Sequence, residues 1–117
     1  MTVRRVVSNI KSEHFDENRA FYAGFLGLAV AMDMGWILTF ASSTNPTAQV
    51  TIVKRDATAP LDADLSIEVT DVDAVYAQAL RRGIEIVYPL TDEPWGMRRF
   101  FVRDPNGLVV NLASHGG

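Results

Sequence analysis

Residues 65–83 of this chain, LSIEVTDVDAVYAQALRRG, contain a strand, a helix entrance, a helix and a helix stop in direct succession. The apolar side chains of Leu65, Ile67 and Val69 alternate with polar ones, which predicts a strand with one buried face. Thr70 and Asp71 follow as candidate helix caps, because their side-chain oxygens can accept from the first free backbone amides. The stretch therefore predicts a strand that runs directly into a helix.

That helix is predicted to bury one apolar face and to end at Gly83. Helical spacing places five side chains on the buried face, namely Val72, Val75, Tyr76, Ala79 and Leu80. Three strands are predicted beyond the glycine, over residues 84–88, 98–103 and 108–113. The second half of the chain thus has the order βαβββ.

The first half repeats this order. Residues 20–23, AFYA, match residues 74–77, AVYA, and Gly27 follows the first helix as Gly83 follows the second. After a strand over 5–10 and a polar loop over 11–17, a helix is predicted over residues 19–26. It is expected to bury Phe21, Tyr22, Phe25 and Leu26. Further strands are predicted over residues 28–32, 36–41 and 49–54.

The two copies predict a single α+β domain over residues 1–117. Module one spans about residues 1–55, a linker spans about 56–63, and module two spans about 64–117. A chain of about 55 residues buries too little surface to stabilise its own sheet. The two modules are therefore expected to pair around a pseudo-twofold axis.

Composition narrows the class of protein. The chain of 117 residues is 48% hydrophobic, carries a net charge of −3 and contains no cysteine. A net negative charge argues against nucleic acid as a partner, and the lack of cysteine excludes disulfides and thiolate metal sites. No apolar stretch approaches a membrane span or a signal peptide. We therefore expect a cytoplasmic protein with no membrane partner.

Four segments in order resemble the glyoxalase/bleomycin-resistance/dioxygenase family, also called the vicinal oxygen chelate family. They are residues 19–28 (RAFYAGFLGL), 67–74 (IEVTDVDA), 95–103 (WGMRRFFVR) and 104–112 (DPNGLVVNL). The resemblance implies that two βαβββ modules form a curved mixed sheet around a cup for a small molecule. It also implies one of two activities. Enzymes of the family hold a divalent metal in the cup, whereas antibiotic-binding members lack the metal and act as dimers.

The positions that correspond to the family's metal ligands carry unsuitable side chains. They fall at about Arg5, Asp64 and Asn111, and near Thr51 or Gln49. Arginine keeps its proton and cannot ligate, and the set lacks the imidazole and carboxylate combination that transition metals favour. The histidines, His14 and His115, are expected in an exposed loop and an exposed tail, outside the strands. No cofactor is therefore expected, and a divalent metal belongs only to the alternative function below.

The cup is expected to have an unusually polar lining. If residues 65, 67 and 69 face the helix, the same parity turns a polar set toward the cup, namely Arg5, Asn9, Asp64, Ser66, Glu68 and Asn111. Trp36, Trp95 and Phe101 are candidates for stacking on a ligand. A structural role is equally open for the polar set, as an internal ion pair between Arg5 and Asp64 with solvated strand ends. Aromatic side chains in a domain of this size belong more often to the core, and Trp36 and Trp95, each beside a glycine, are the stronger candidates for ligand contact.

Three functions are compatible with these polar and aromatic candidate residues. The first is a metal-independent small-molecule-binding protein that sequesters an antibiotic or metabolite, as a homodimer resembling bleomycin-resistance proteins. The alternative is a lyase, isomerase or dioxygenase with an atypical metal site, or with acid–base chemistry by Glu68. A third is a protein whose main role is association with other proteins.

Overall fold

The computed structural model describes residues 2–115, and strands and helices follow the order βαβββ twice. The first copy contains β1 (Val3–Lys11), helix α1 (Phe15–Asn18) continued by a π-helical segment (Arg19–Phe25), β2 (Ala29–Asp33), β3 (Ile37–Ala41) and β4 (Gln49–Val53). The second contains β5 (Leu65–Val69), α2 (Val72–Arg81), β6 (Ile86–Asp92), β7 (Met97–Arg103) and β8 (Val109–His115). The predicted α+β class with two βαβββ modules is confirmed.

The chain divides into two units by its internal contacts. The N-terminal unit is Val7–Asp62, and the C-terminal unit combines residues 2–6 with residues 63–115. In the N-terminal unit the strand order is β2-β3-β4-β1, with β1 parallel to β4. In the C-terminal unit it is β5-β8-β7-β6, with β5 parallel to β8, and the beginning of β1 lies beside β5. Both units therefore mix parallel and antiparallel pairs.

One face of the C-terminal sheet packs against α2. Val69, Phe100, Val102 and Val110 are buried there together with Val72 and Ala79 of the helix, and Ile67 and Leu112 pack against them. The parity predicted for β5 is confirmed, because Ile67 and Val69 face the helix. Ser66 and Glu68 consequently lie on the opposite face of the sheet.

The N-terminal unit has a second core around Leu38, Phe40 and Ile52, which Tyr22 of the π-helical segment contacts. The prediction that Phe21, Phe25 and Leu26 share this buried face is wrong, since all three are exposed. The reason is the wider turn of a π-helix. Leu26 N donates to Phe21 O, five residues back, so Phe25, which lies three residues after Tyr22, rotates farther from the sheet than in an α-helix.

The second helix follows its predicted entrance and stop. Asp71 caps it by accepting from Ala74 N at 3.1 Å, and Gly83, with φ of 66°, ends it. Ile84 N donates to Ala79 O and Gly83 N donates to Leu80 O, a Schellman arrangement. Because Ile84 completes this cap, the prediction of a strand from residue 84 is wrong and β6 begins at Ile86.

The prediction that Leu80 lies on the buried face of α2 is also wrong, because its side chain is exposed. Each residue turns an α-helix by about 100°, which places Leu80 at the edge of a face centred between Val72 and Ala79.

Neither helix in residues 2–115 is long and apolar enough to span a membrane.

Candidate functional site

The face of the C-terminal sheet opposite α2 carries most of the polar residues singled out in the sequence. Cross-strand register defines this helix-free face. Ser66 on β5 pairs with Asn111 on β8, and Asn111 pairs with Phe101 on β7. Two residues farther along β5, Glu68 pairs with Ala113, and Ala113 pairs with Arg99. The helix-free face therefore has a small alanine between Glu68 and Arg99.

Glu68 is the centre of a charged cluster on this face. Its carboxylate is only 11% exposed, and Oε2 lies 2.5 Å from a terminal nitrogen (NH2) of Arg5. Its other oxygen, Oε1, lies 3.3 Å from Nε of Arg4. The short Arg5 contact is an ion pair by distance, but Oε2 has no hydrogen-bond partner of acceptable geometry. Two arginines therefore share one nearly buried carboxylate.

His115 also lies beside this carboxylate, with Nε2 3.9 Å from Glu68 Oε2. The expectation that both histidines lie outside the strands is wrong, because His115 is the last residue of β8. The expected exposure is observed, since its side chain is 72% exposed. His14 lies just before α1, exposed, with Nδ1 2.9 Å from Glu17 Oε2. Only His115 therefore reaches the cluster around Glu68.

Ser66 and Asn111 are joined by a hydrogen bond between the paired strands. Asn111 Nδ2 donates to Ser66 Oγ at 3.1 Å, and both residues are half-buried. The amide oxygen of Asn111, Oδ1, is buried and has no hydrogen-bond partner within residues 2–115. A buried acceptor left without a donor costs about 1–3 kcal/mol. A donor that reaches Asn111 would recover this cost.

Asp64 forms hydrogen bonds with the backbone of β8 and not the ion pair with Arg5 that was considered for it. Its Oδ2 accepts from Val109 N at 2.9 Å, and its own backbone amide donates to Val109 O. Because Arg5 pairs with Glu68, the structure does not contain the Arg5–Asp64 ion pair. Asp64 therefore secures the beginning of β5 against β8.

A buried ion pair that the sequence reasoning missed lies farther along the helix-free face. Arg99 Nε is 2.5 Å from Glu93 Oε2, and the two side chains are 6% and 2% exposed. The guanidinium carbon lies 4.9–5.5 Å from the ring centroids of Tyr88, Trp95 and Phe101. The spacing of two residues between Arg99 and Phe101 on one strand was the signal that places both on this face.

The predicted aromatic contacts are distributed over both units. Trp95 is half-buried beside Arg99, whereas Phe101 is fully buried and packs on Tyr88 at 5.2 Å between centroids. Trp36 and Asn9 belong to the N-terminal unit and are half-buried, and Asn9 pairs with Thr51 of β4. Their contact with a ligand stays a prediction.

Comparison with known proteins identifies the family. The model of the glyoxalase/bleomycin resistance protein/dioxygenase superfamily matches residues 9–112. The chain belongs to this superfamily. No functionally curated protein matches the chain.

Solved structures of the superfamily fold resemble this member along nearly its whole length. A superfamily member from Vibrio splendidus is 17% identical, with a TM-score of 0.71 and coverage of 97% of this chain and 99% of the other. Methylmalonyl-CoA epimerase from Streptomyces coelicolor is 16% identical, with a TM-score of 0.72 and coverage of 99% and 100%. An NAD-dependent benzaldehyde dehydrogenase from Legionella pneumophila is 17% identical, with a TM-score of 0.75 and coverage of 94% and 98%. At these identities the likeness shows the shared fold.

The residues at the expected metal-ligand positions do not fit a transition metal. Arg5 is a cation held by Glu68, and the amide of Asn111 donates to Ser66. Thr51 Oγ1 lies 2.8 Å from Thr39 Oγ1, and the Asp64 carboxylate accepts from a backbone amide. Within residues 2–115, no group of three or more His, Cys, Asp or Glu side chains is arranged to hold a metal ion. We therefore derive no chemical step through a metal.

Proposed function

We propose that the chain is a metal-independent small-molecule-binding protein and that its ligand contacts the helix-free face of the C-terminal unit. The observation that carries the proposal is the ion pair of Arg5 with Glu68. Arg5 stands where the resemblance implies a metal ligand, contacts Glu68 at 2.5 Å and keeps 30% of its side chain exposed. A side chain that cannot ligate but can donate hydrogen bonds supports direct recognition of a polar ligand.

The same arrangement supports pre-organisation of the binding site. The Glu68 carboxylate restricts the long Arg5 side chain, so less rotamer entropy remains to be lost when a ligand binds. Asn111 complements the Arg5 donors, because its buried Oδ1 is an acceptor with no donor within residues 2–115. Binding of an antibiotic or metabolite and assembly into a homodimer are parts of this proposal, and sedimentation of the purified protein tests the dimer.

A binding screen with chelator-treated protein tests the proposed function. We expect at least one member of a panel of bleomycin, glycopeptide antibiotics and aromatic metabolites to bind saturably in calorimetry, with or without EDTA. Glu68→Gln should weaken that binding, because it removes the charge that orients Arg5. The matched control is Glu85→Gln, which changes an exposed carboxylate paired with Arg103. Binding that requires added metal, or no binding by any member, would contradict the proposal.

A second candidate function is acid–base catalysis by Glu68, in the manner of an epimerase or isomerase. It is favoured by one observation, the nearly buried carboxylate whose Oε2 lacks a hydrogen-bond partner. Such an oxygen is placed to take a proton from carbon next to a carbonyl. One structure of this fold is methylmalonyl-CoA epimerase, which makes methylmalonyl-CoA a suitable probe. Solvent deuterium incorporation that survives chelation and is lost in Glu68→Gln would favour this candidate over simple binding.

A further inference from the structure

We infer that the helix-free face selects small molecules bearing a carboxylate, which Arg5 binds beside Glu68. This inference rests on the proposed function and names the class of its ligand. The cluster that would recognise the carboxylate consists of Arg4, Arg5, Glu68 and His115.

Arg5 has more hydrogen-bond donors than its ion pair uses. A guanidinium carries five N–H donors in a planar fork, and the ion pair with Glu68 is formed through the terminal nitrogen NH2. The remaining donors of Arg5 have no protein partner within residues 2–115. A carboxylate matches such a fork with two parallel hydrogen bonds, the strongest arrangement available to arginine. Glu68 therefore orients the Arg5 guanidinium and leaves its other N–H groups available to a ligand.

The local charge of the cluster is positive. Arg4 and Arg5 together outweigh the single negative charge of Glu68. The neighbouring acids on this face do not cancel it. Asp64 lies four residues before Glu68 in an extended segment, about 13 Å away, where its charge is largely screened. Glu93 is paired with Arg99 inside the aromatic cluster. The charge excess thus favours an anionic group and disfavours a cationic one.

The arginines of the cluster are accessible to solvent. The side chains of Arg4 and Arg5 are 63% and 30% exposed, whereas the Glu68 carboxylate between them is only 11% exposed. An incoming anion therefore meets the cations before it meets the carboxylate. Next to Glu68 the face is apolar at Ala113 and aromatic at the half-buried Trp95 beyond it. These surfaces accommodate the organic body of an aromatic acid.

A matched pair of probes tests the inference. Benzoate and benzamide have nearly the same shape and differ in charge, and their dissociation constants are measured by NMR titration of the full chain at low salt. We expect benzoate to bind about tenfold more tightly, because its charge-assisted pair with Arg5 is stronger than the neutral hydrogen bond available to benzamide. In Arg5→Gln the preference should fall to about twofold or less, because benzoate loses a charge-assisted partner whereas benzamide loses only a neutral hydrogen bond. Arg103→Gln, which removes a cation outside the cluster, should retain the preference.

Three other results would overturn the carboxylate inference. Equal affinity for the two probes, or a preference that persists in Arg5→Gln, would overturn the carboxylate inference while leaving small-molecule binding intact. Lack of saturable binding by both probes, while other neutral ligands of the panel bind, would also overturn it alone. If Arg5→Gln is unfolded by circular dichroism, Arg5→Lys provides the comparison. That variant keeps the charge but loses the planar fork, so the preference should fall without vanishing.

Discussion

At the scale of single residues, Glu68 and Glu93 show two ways of placing a carboxylate on one sheet face. Glu68 is contacted by two arginines that solvent reaches, and a histidine lies 3.9 Å from it. Glu93 is enclosed, with Arg99 as its ion-pair partner and the hydroxyl of Tyr88 donating to it at 3.2 Å. The first arrangement leaves donors for a ligand, and the second stabilises the interior of the face.

Removal of one partner from the enclosed pair should be costly. Arg99→Met leaves the carboxylate of Glu93 buried without a cation, so we expect the free energy of unfolding to fall by about 3–5 kcal/mol. The double variant Glu93→Leu/Arg99→Met should recover most of this loss, because both charges are then gone. Urea denaturation followed by circular dichroism measures both.

The matched control for this loss lies on the same strand. Arg103 forms an exposed ion pair with Glu85 at 3.2 Å, so Arg103→Met should cost about 1 kcal/mol or less. An Arg99→Met variant no less stable than Arg103→Met would show that the enclosed pair does not stabilise the C-terminal unit.

Asp73 provides a test of electrostatics on α2. Its carboxylate accepts hydrogen bonds from Arg98, which holds the pKa of Asp73 below its ordinary value of 3.8. The lowered pKa means that this group stabilises the folded state above that value and loses the effect as pH falls through the folded pKa. In Arg98→Gln, NMR titration should show the Asp73 pKa returning toward 3.8. An unchanged pKa would contradict the assignment, and Arg81→Gln is the control for a general loss of charge.

The sequence predicts which face each of these residues occupies better than it predicts their partners. Strand periodicity of two is fixed by backbone geometry, so alternation in β5 suffices to place Ser66 and Glu68 opposite the helix. The partner of a long side chain depends on cross-strand distances that alternation does not contain. Arg5 accordingly reaches Glu68 and not Asp64, and the pair formed by Glu93 and Arg99 has no separate sequence signal.

At the scale of secondary-structure elements, the two helices differ although their sequences match. α2 is an ordinary helix with a side-chain cap and a Schellman end, whereas the first helix continues as a π-helical segment. The shared pattern AFYA and AVYA predicts the tyrosine contact with the sheet in both units, and Tyr22 and Tyr76 do pack on their cores. It does not predict the change in helical pitch, which depends on how the backbone hydrogen bonds shift.

The exposed face of the π-helical segment leads to a stability prediction. Phe25 is 74% exposed, so Phe25→Ser should change the free energy of unfolding by about 0.5 kcal/mol or less. Tyr22 packs on Phe40 at 5.5 Å between centroids, so Tyr22→Ser should cost about 3 kcal/mol or more. Thermal and urea denaturation of the two variants check the difference. Equal losses would mean that Phe25 is buried in solution, as in the face expected from the sequence.

The cap of α2 can be tested in the same way. Asp71→Ala removes the acceptor for Ala74 N and should lower the free energy of unfolding by about 1 kcal/mol. Asp71→Ser keeps a capping oxygen and should recover most of the loss. If the serine variant is as unstable as the alanine variant, the capping hydrogen bond is not the source of the effect.

At the scale of the whole molecule, the internal repeat is what makes the fold predictable. Two matching strand–helix–glycine units in tandem specify the order βαβββ twice, and the superfamily match over residues 9–112 agrees with it. The ligand is less predictable, because the fold serves many functions and only the side chains on the helix-free face distinguish them. The proposal of direct recognition depends on Arg5, Asn111 and Thr51, which stand at the expected metal-ligand positions.

Calorimetry of metal-stripped protein tests the central claim of metal-independent binding most directly. The chain is purified without a histidine tag, treated with EDTA and titrated with a ligand identified by the screen, before and after addition of Zn²⁺, Ni²⁺ or Mn²⁺. We predict saturable binding to the metal-free protein, with a dissociation constant that changes by about twofold or less when metal is added. Binding that appears only with metal, together with near-stoichiometric metal in the protein, would contradict the account.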